Sequence, residues 1–175
     1  MPARVPALPA RLTALSARRY VQAWRQAAHA ALIDTFDSHL MPAEPAALHG
    51  RIADAISLLE EHAQIEQRCF YPLMQPHAPG LVDEARIEHT AMAGLIAPLK
   101  DPKLDDRRRV TRFKVLCEYL RHHVAEEDGP RFAALEAAPV AWVDLARALP
   151  ALAPAKSARA RRPEPPSTGI RPDRE

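Results

Sequence analysis

Residues 81–99 read LVDEARIEHTAMAGLIAPL. Val82, Ala85, His89, Met92, Ile96 and Leu99 recur along this stretch three and four positions apart, the spacing that lines up side chains on one face of an α-helix. Three other segments repeat the pattern. Ile52, Ile56, Leu59, His62, Glu66, Phe70 and Leu73 form a stripe in a helix predicted from about Ala46 to Met74. Phe113, Leu116, Leu120, His123 and Glu127 form another, and His29 shares a side with Leu32, Ile33 and Phe36 in a segment near residues 12–40. Every apolar stripe contains a histidine.

Proline punctuates the segments. Pro42 and Pro45 close the first, the run Pro72, Pro76 and Pro79 ends the second, and Pro98 with Pro102 ends the third. Asp101-Pro102 reads as an N-cap followed by proline at the first helical position, which opens a fourth helix to about Glu127. Gly129-Pro130 interrupts that helix and kinks its last turn, and a minor fifth helix is expected from Val140 to Leu149. Four long segments with short connections predict an all-α fold, an antiparallel up-down-up-down four-helix bundle with a short extra C-terminal helix. Its expected extent is 12–149, between a disordered start at 1–11 and a disordered basic tail at 150–175.

Composition excludes several alternatives. The 175 residues suit one domain, 47% are hydrophobic, and only 5 are glycine against 18 proline. Few glycines and 5% aromatics argue against a β-sandwich, and no glycine-rich loop exists to cradle a nucleotide phosphate. The net charge of +2 comes from the tail, where Lys156, Arg159, Arg161, Arg162, Arg171 and Arg174 face Glu164, Asp173 and Glu175. No nucleic-acid-binding face is therefore expected. Cys69 and Cys117 are too few for a disulfide scaffold, and no transmembrane stretch or signal-peptide core stands out. A cytoplasmic protein with no membrane partner is expected.

The polar positions on the stripes carry the chemistry. Residues four apart on a helix stack one above the other, so His62 with Glu66, and His123 with Glu127, each form a two-toothed clamp. With His29 and His89 from the other helices, four imidazoles and two carboxylates converge on one interior. Burying one unpaired polar group costs roughly 2–7 kcal/mol, against a total domain stability of about 5–15 kcal/mol. Six such groups need a compensating cation. Four imidazoles and two carboxylates are too many donors for one tetrahedral zinc and too nitrogen-rich for calcium or magnesium. Two metal ions with shared carboxylates suit iron best, and an oxo or hydroxo bridge reduces the remaining charge.

Four blocks resemble the hemerythrin, or HHE, cation-binding domain of bacteria: AHAALIDTF around His29, LLEEHAQIEQRCFYPLM around His62, VDEARIEHTAMAGLIAPL around His89 and CEYLRHHVAEEDG around His123. The resemblance spans roughly residues 20–136. It implies an antiparallel four-helix bundle around a non-heme di-iron site whose ligands are His29, His62, Glu66, His89, His123 and Glu127, with both glutamates bridging. It also implies a small diatomic partner, O2 or NO, and a protein that binds or senses O2, NO or the iron and redox state. The alternative is a di-iron redox enzyme, peroxidase-like or ferroxidase-like, or one that repairs nitrosatively damaged metal centres. Ferritin-like di-iron proteins use Glu-x-x-His instead, a spacing absent here.

Two departures stand out. Oxygen-carrying hemerythrins place a second histidine one turn after the third-helix ligand, where this chain has Ala93. The expectation is an open iron position and poor reversible O2 storage. In the fourth helix, His122 with Glu126 competes with His123 and Glu127. The apolar phase favours His123, which aligns with Leu116 and Leu120, and Asp128 stands as a reserve ligand. His39, His49 and His77 are read as surface residues, Cys69 as a buried apolar-like residue, Phe70 and Tyr71 as a core lid, and Glu60 and Glu61 as solvent-facing.

Overall fold

A computed structural model describes residues 6–39 and 45–152. The described residues form helices joined by short turns, with no strand among them. Helix α1 is Ala14–His39, α2 Pro45–Ile65, α3 Tyr71–Met74, α4 Pro79–Leu99, α5 Asp106–Glu126, α6 Phe132–Ala137 and α7 Trp142–Leu152. Two π-helical turns, Glu66–Phe70 and Glu127–Arg131, join α2 to α3 and α5 to α6; the second is kinked at Gly129, whose φ of −101° and ψ of −107° are not helical, as the Gly129-Pro130 pair predicts. No helix among the described residues is long and apolar enough to cross a membrane.

Local chemistry sets the helix starts. Thr13 caps α1 through a reciprocal pair: its N–H donates to Ser16 Oγ at 2.9 Å, and the Ser16 N–H donates to Thr13 Oγ1 at 3.2 Å. Pro79 opens α4, where its missing N–H costs no hydrogen bond. The start of α5 differs from the sequence expectation. Asp105, not Asp101, is the N-cap, accepting from the Arg108 N–H at 2.9 Å. Asp101 instead closes a turn by accepting from the Lys103 N–H at 2.8 Å. The buried guanidinium of Arg109 explains why. It donates to the carbonyls of Leu99 at 2.5 Å, Asp101 at 2.8 Å and Leu104 at 3.0 Å, folding residues 100–105 around itself.

The apolar stripes pack into two clusters. One contains Ala17, Tyr20, Val21, Trp24, Met74, Val82, Ala85, Phe132, Leu135, Leu145 and Leu149. The other contains Leu32, Phe36, Ile52, Ile56, Leu59, Met92, Ile96, Phe113, Leu116 and Leu120. Helix α4 buries the six residues of its predicted stripe, Val82, Ala85, His89, Met92, Ile96 and Leu99. Beyond Gly129-Pro130 the chain forms two short helices rather than the single one expected from Val140 to Leu149. Helix α6 seats Phe132 and Leu135 in the first cluster, and α7 lies against α1. Helix α7 continues through Pro150 to Leu152, past the expected boundary of the tail, whose residues 153–175 lie outside those described.

Candidate metal centre

Between the two apolar clusters lies a polar layer. His29 comes from α1, His62 from α2, His89 from α4 and His123 from α5, and each is buried. Glu66 and Glu127, also buried, are the first residues of the two π turns. The six residues placed on the inner stripes by periodicity therefore meet. His29, His62, Glu66 and Glu127 each offer one ligand atom within 4.8 Å of the others, and so do Glu66, His89 and His123. Glu66 belongs to both groups.

The carboxylates are split between the two halves. Glu66 Oε1 contacts His62 Nε2 and lies 3.7 Å from His29 Nε2, while its Oε2 lies 3.2 Å from His89 Nε2 and 3.6 Å from His123 Nε2. Glu127 Oε2 is 3.4 Å from His29 Nε2, and its Oε1 is 3.7 Å from His123 Nε2. Four of these inward atoms, His29 Nε2, His62 Nε2 and both oxygens of Glu66, are buried without a partner in hydrogen-bond geometry. Native interiors rarely leave such atoms unsatisfied. Lone pairs on nitrogen and carboxylate oxygen, turned toward a common centre, match the donor set of a first-row transition metal.

The outward nitrogens are anchored. His29 Nδ1 lies 2.9 Å from Asp128 Oδ1, and Arg25 Nη1 reaches the same oxygen at 2.7 Å and the Glu127 carbonyl at 2.7 Å. His123 Nδ1 lies 2.7 Å from Glu88 Oε2, and Arg131 grips Glu88 with both terminal nitrogens at 2.9 and 2.7 Å. His89 Nδ1 meets the Gln67 amide at 3.0 Å. A carboxylate behind an imidazole fixes the tautomer that turns the other nitrogen inward, as in many metal sites.

Electrostatics shows the same demand for positive charge. Burial lowers the His29 pKa, but hydrogen bonds to Asp128, Glu127 and Glu66 overcome it and raise the value to about 10. His123 is likewise lowered by burial yet raised to about 9 by Glu66, Glu88 and Glu127. Burial pushes the Glu66 carboxyl up, whereas the imidazoles of His62, His123 and His29 hold it well below the ordinary carboxylate value. Without a metal, protons on histidine supply the charge that the buried carboxylates require.

Several residues here were not read from the sequence as part of a site. Arg25, Arg131 and Glu88 give no periodic signal that separates them from surface charges. Asp128, a reserve ligand in the sequence reading, stands behind His29 instead of beside Glu127. Tyr71 is not merely a lid: its hydroxyl lies 3.1 Å from His89 Nε2 and donates to Glu127 Oε1 at 3.0 Å. Ala93, one turn past His89 on α4, is exposed and brings no imidazole to the layer. His122 is exposed, His77 is exposed, His49 pairs with Asp106 at 2.6 Å on the surface, and half-buried His39 meets Ser38. Cys69 and Glu61 are half-buried, and Glu60 pairs with Lys100 at 2.6 Å.

A cavity of about 20 Å³, room for one water-sized molecule, adjoins the layer between Arg25, Glu66, Tyr71, Glu127, Arg131 and Phe132. The family model described as Hemerythrin HHE cation binding domain matches residues 18–135, which include all six inner residues. No curated protein and no solved structure matches the chain.

Proposed function

Because this chain belongs to the hemerythrin HHE cation-binding domain family, we propose that it holds two iron ions in its polar layer and uses them to bind or sense a small diatomic, O2 or NO. His29 and His62 would hold one ion and His89 and His123 the other, with Glu66 and Glu127 bridging. The observation that carries this reading is the split of each carboxylate, one oxygen toward each pair of histidines.

The fold supports it. Along α1 and α4 the chain passes from the first apolar cluster through a histidine to the second. Along α2, and along α5 continued into α6, it passes the other way. That alternation supports an antiparallel up-down-up-down arrangement of the four long helices, within an expected domain of 12–149, in which every helix delivers donors at one height.

An iron pair, when bound, supplies reversible one-electron chemistry and exchangeable coordination positions. The protein's residues supply the rest. The two clusters exclude bulk water from the layer, which strengthens every charge interaction within it. Asp128 and Glu88 hold protons at the Nδ1 atoms of His29 and His123, leaving the Nε2 lone pairs free to bind. The cavity beside Tyr71 and Glu127 leaves room for one water-sized molecule next to the layer.

The test is reconstitution of the reduced protein under anaerobic conditions, followed by NO or air. The expected result is stoichiometric NO binding, and conversion in air to a diferric spectrum. Iron-loaded protein whose spectrum responds to neither gas would contradict the ligand-binding role. Sustained turnover of peroxide would instead favour the redox enzyme.

A further inference from the structure

The two halves of the polar layer are unequal. Around His29 and His62 four residues offer donors, whereas around His89 and His123 only Glu66 completes the group of nitrogen and carboxylate atoms. Helix α4 offers that half no second imidazole, because position 93, one turn past His89, is an exposed alanine.

A phenol stands in the gap. Tyr71 is buried at 1% exposure, with its oxygen 3.1 Å from His89 Nε2 and 3.0 Å from Glu127 Oε1. His89 Nε2 and His123 Nε2 are 3.1 Å apart, and Glu66 Oε2 lies 3.2 Å from the first and 3.6 Å from the second. Neighbouring ligands of an octahedral ion bound at about 2.0–2.2 Å are separated by about 3 Å. Tyr71 Oη, His123 Nε2 and Glu66 Oε2 thus each stand from His89 Nε2 at the separation of neighbouring ligands in one coordination shell.

The π turn explains how Tyr71 reaches this place. In an α-helix the position five residues after Glu66 lies about 140° round the axis, away from the inner face. Here the Tyr71 N–H donates to the Glu66 carbonyl, closing a wider i→i+5 turn that brings Tyr71 back over Glu66.

We propose that Tyr71 is a further metal ligand, its phenolate oxygen binding the ion of the His89–His123 half. This rests on the di-iron reading above. On binding, the O–H bond breaks, the oxygen–metal bond forms and the proton leaves to solvent, as protons do when metals displace them from ligands. The added negative charge offsets a ferric pair that two carboxylates alone leave strongly positive.

The test is spectroscopic. Protein loaded with ferric iron is examined by visible absorption and by resonance Raman, with natural and with ring-deuterated tyrosine. The expected result is a phenolate-to-iron charge-transfer band in the visible and tyrosine ring modes that shift on deuteration. Tyr71→Phe loses both while retaining iron, and Tyr119→Phe, on an exposed face of α5, keeps both. Wild-type protein with two irons and no tyrosine modes overturns the assignment by itself, even if Tyr71→Phe fails to fold. Persistence of the modes in Tyr71→Phe overturns it as well. A chain that takes up no iron overturns this assignment together with the reading beneath it.

Discussion

Glu88 and Asp128 touch no inward atom, yet each sets the direction of a histidine. Losing such a partner behind a metal-binding imidazole typically costs about 10- to 100-fold in affinity. Glu88→Gln is therefore expected to weaken iron binding within that range, measured by competition with a chelator. Arg131→Met leaves Glu88 without the guanidinium that both of its oxygens now accept from. Glu88 keeps some exposure, so the expected destabilisation is about 2–3 kcal/mol, below the range for fully buried pairs.

Titration at the same residues fixes how stability depends on pH. Folding raises His29 to about 10 and His123 to about 9, so in the iron-free protein their contribution is complete below about 6.5. It is lost as pH rises through about 9 to 10. Burial raises Glu88, but His123 and Arg131 hold it at about 2, so its contribution is present above the ordinary 4.5 and lost as pH falls through about 2. Thermal melts of iron-free protein should therefore decline from pH 7 to pH 10, and the iron-loaded protein should decline less, because the metal replaces those protons. Equal slopes with and without iron would contradict this.

At the scale of elements, the two π turns do most to build the site. Glu66 and Glu127 open them, and the carbonyl of each accepts a backbone N–H from five residues on, Tyr71 and Phe132 respectively. Pro130 interrupts the second, and its missing N–H leaves the α-helical ladder nothing to continue with. The stripes carrying His62 with Glu66 and His123 with Glu127 were legible because burial follows a period near 3.6. The π turns were not, since widening depends on packing rather than on a pattern, and that is why Tyr71 reads as a lid from sequence. The start of α5 was misplaced for a similar reason: Asp101-Pro102 carries the capping pattern, but Arg109 gathers the carbonyls around it and defers the cap to Asp105. Asp105→Ala is expected to cost about 1 kcal/mol, lowering the melting temperature by about 2–4 °C. Iron content should stay unchanged, since the cap lies beyond the second cluster and away from the metal layer.

Across the whole molecule, the site depends on two cores clamping one polar layer. The second core rests on stripes that can be read directly from sequence. The first draws on α6 and α7, whose Phe132, Leu135, Leu145 and Leu149 meet Trp24 and Tyr20 of α1. The helix from Val140 to Leu149 was legible, but α6 is too short to show a period, so this half of the core was only partly visible. Truncation after Leu152 removes the basic segment beyond the described residues and should leave melting temperature and iron content as they are. Truncation after Ala138 strips Leu145, Ala146 and Leu149 from the core and should destabilise markedly; Leu149→Ala alone is expected to cost about 2–5 kcal/mol. Comparing the two truncations by thermal unfolding separates a docked α7 from a passive one.

The most direct measurement is iron bound per folded chain after anaerobic reconstitution, read by elemental analysis beside circular dichroism. Wild-type protein should carry two irons, and His62→Ala and Glu127→Ala should carry fewer while keeping helical content. A fully helical wild-type protein that takes up no iron would contradict the central claim.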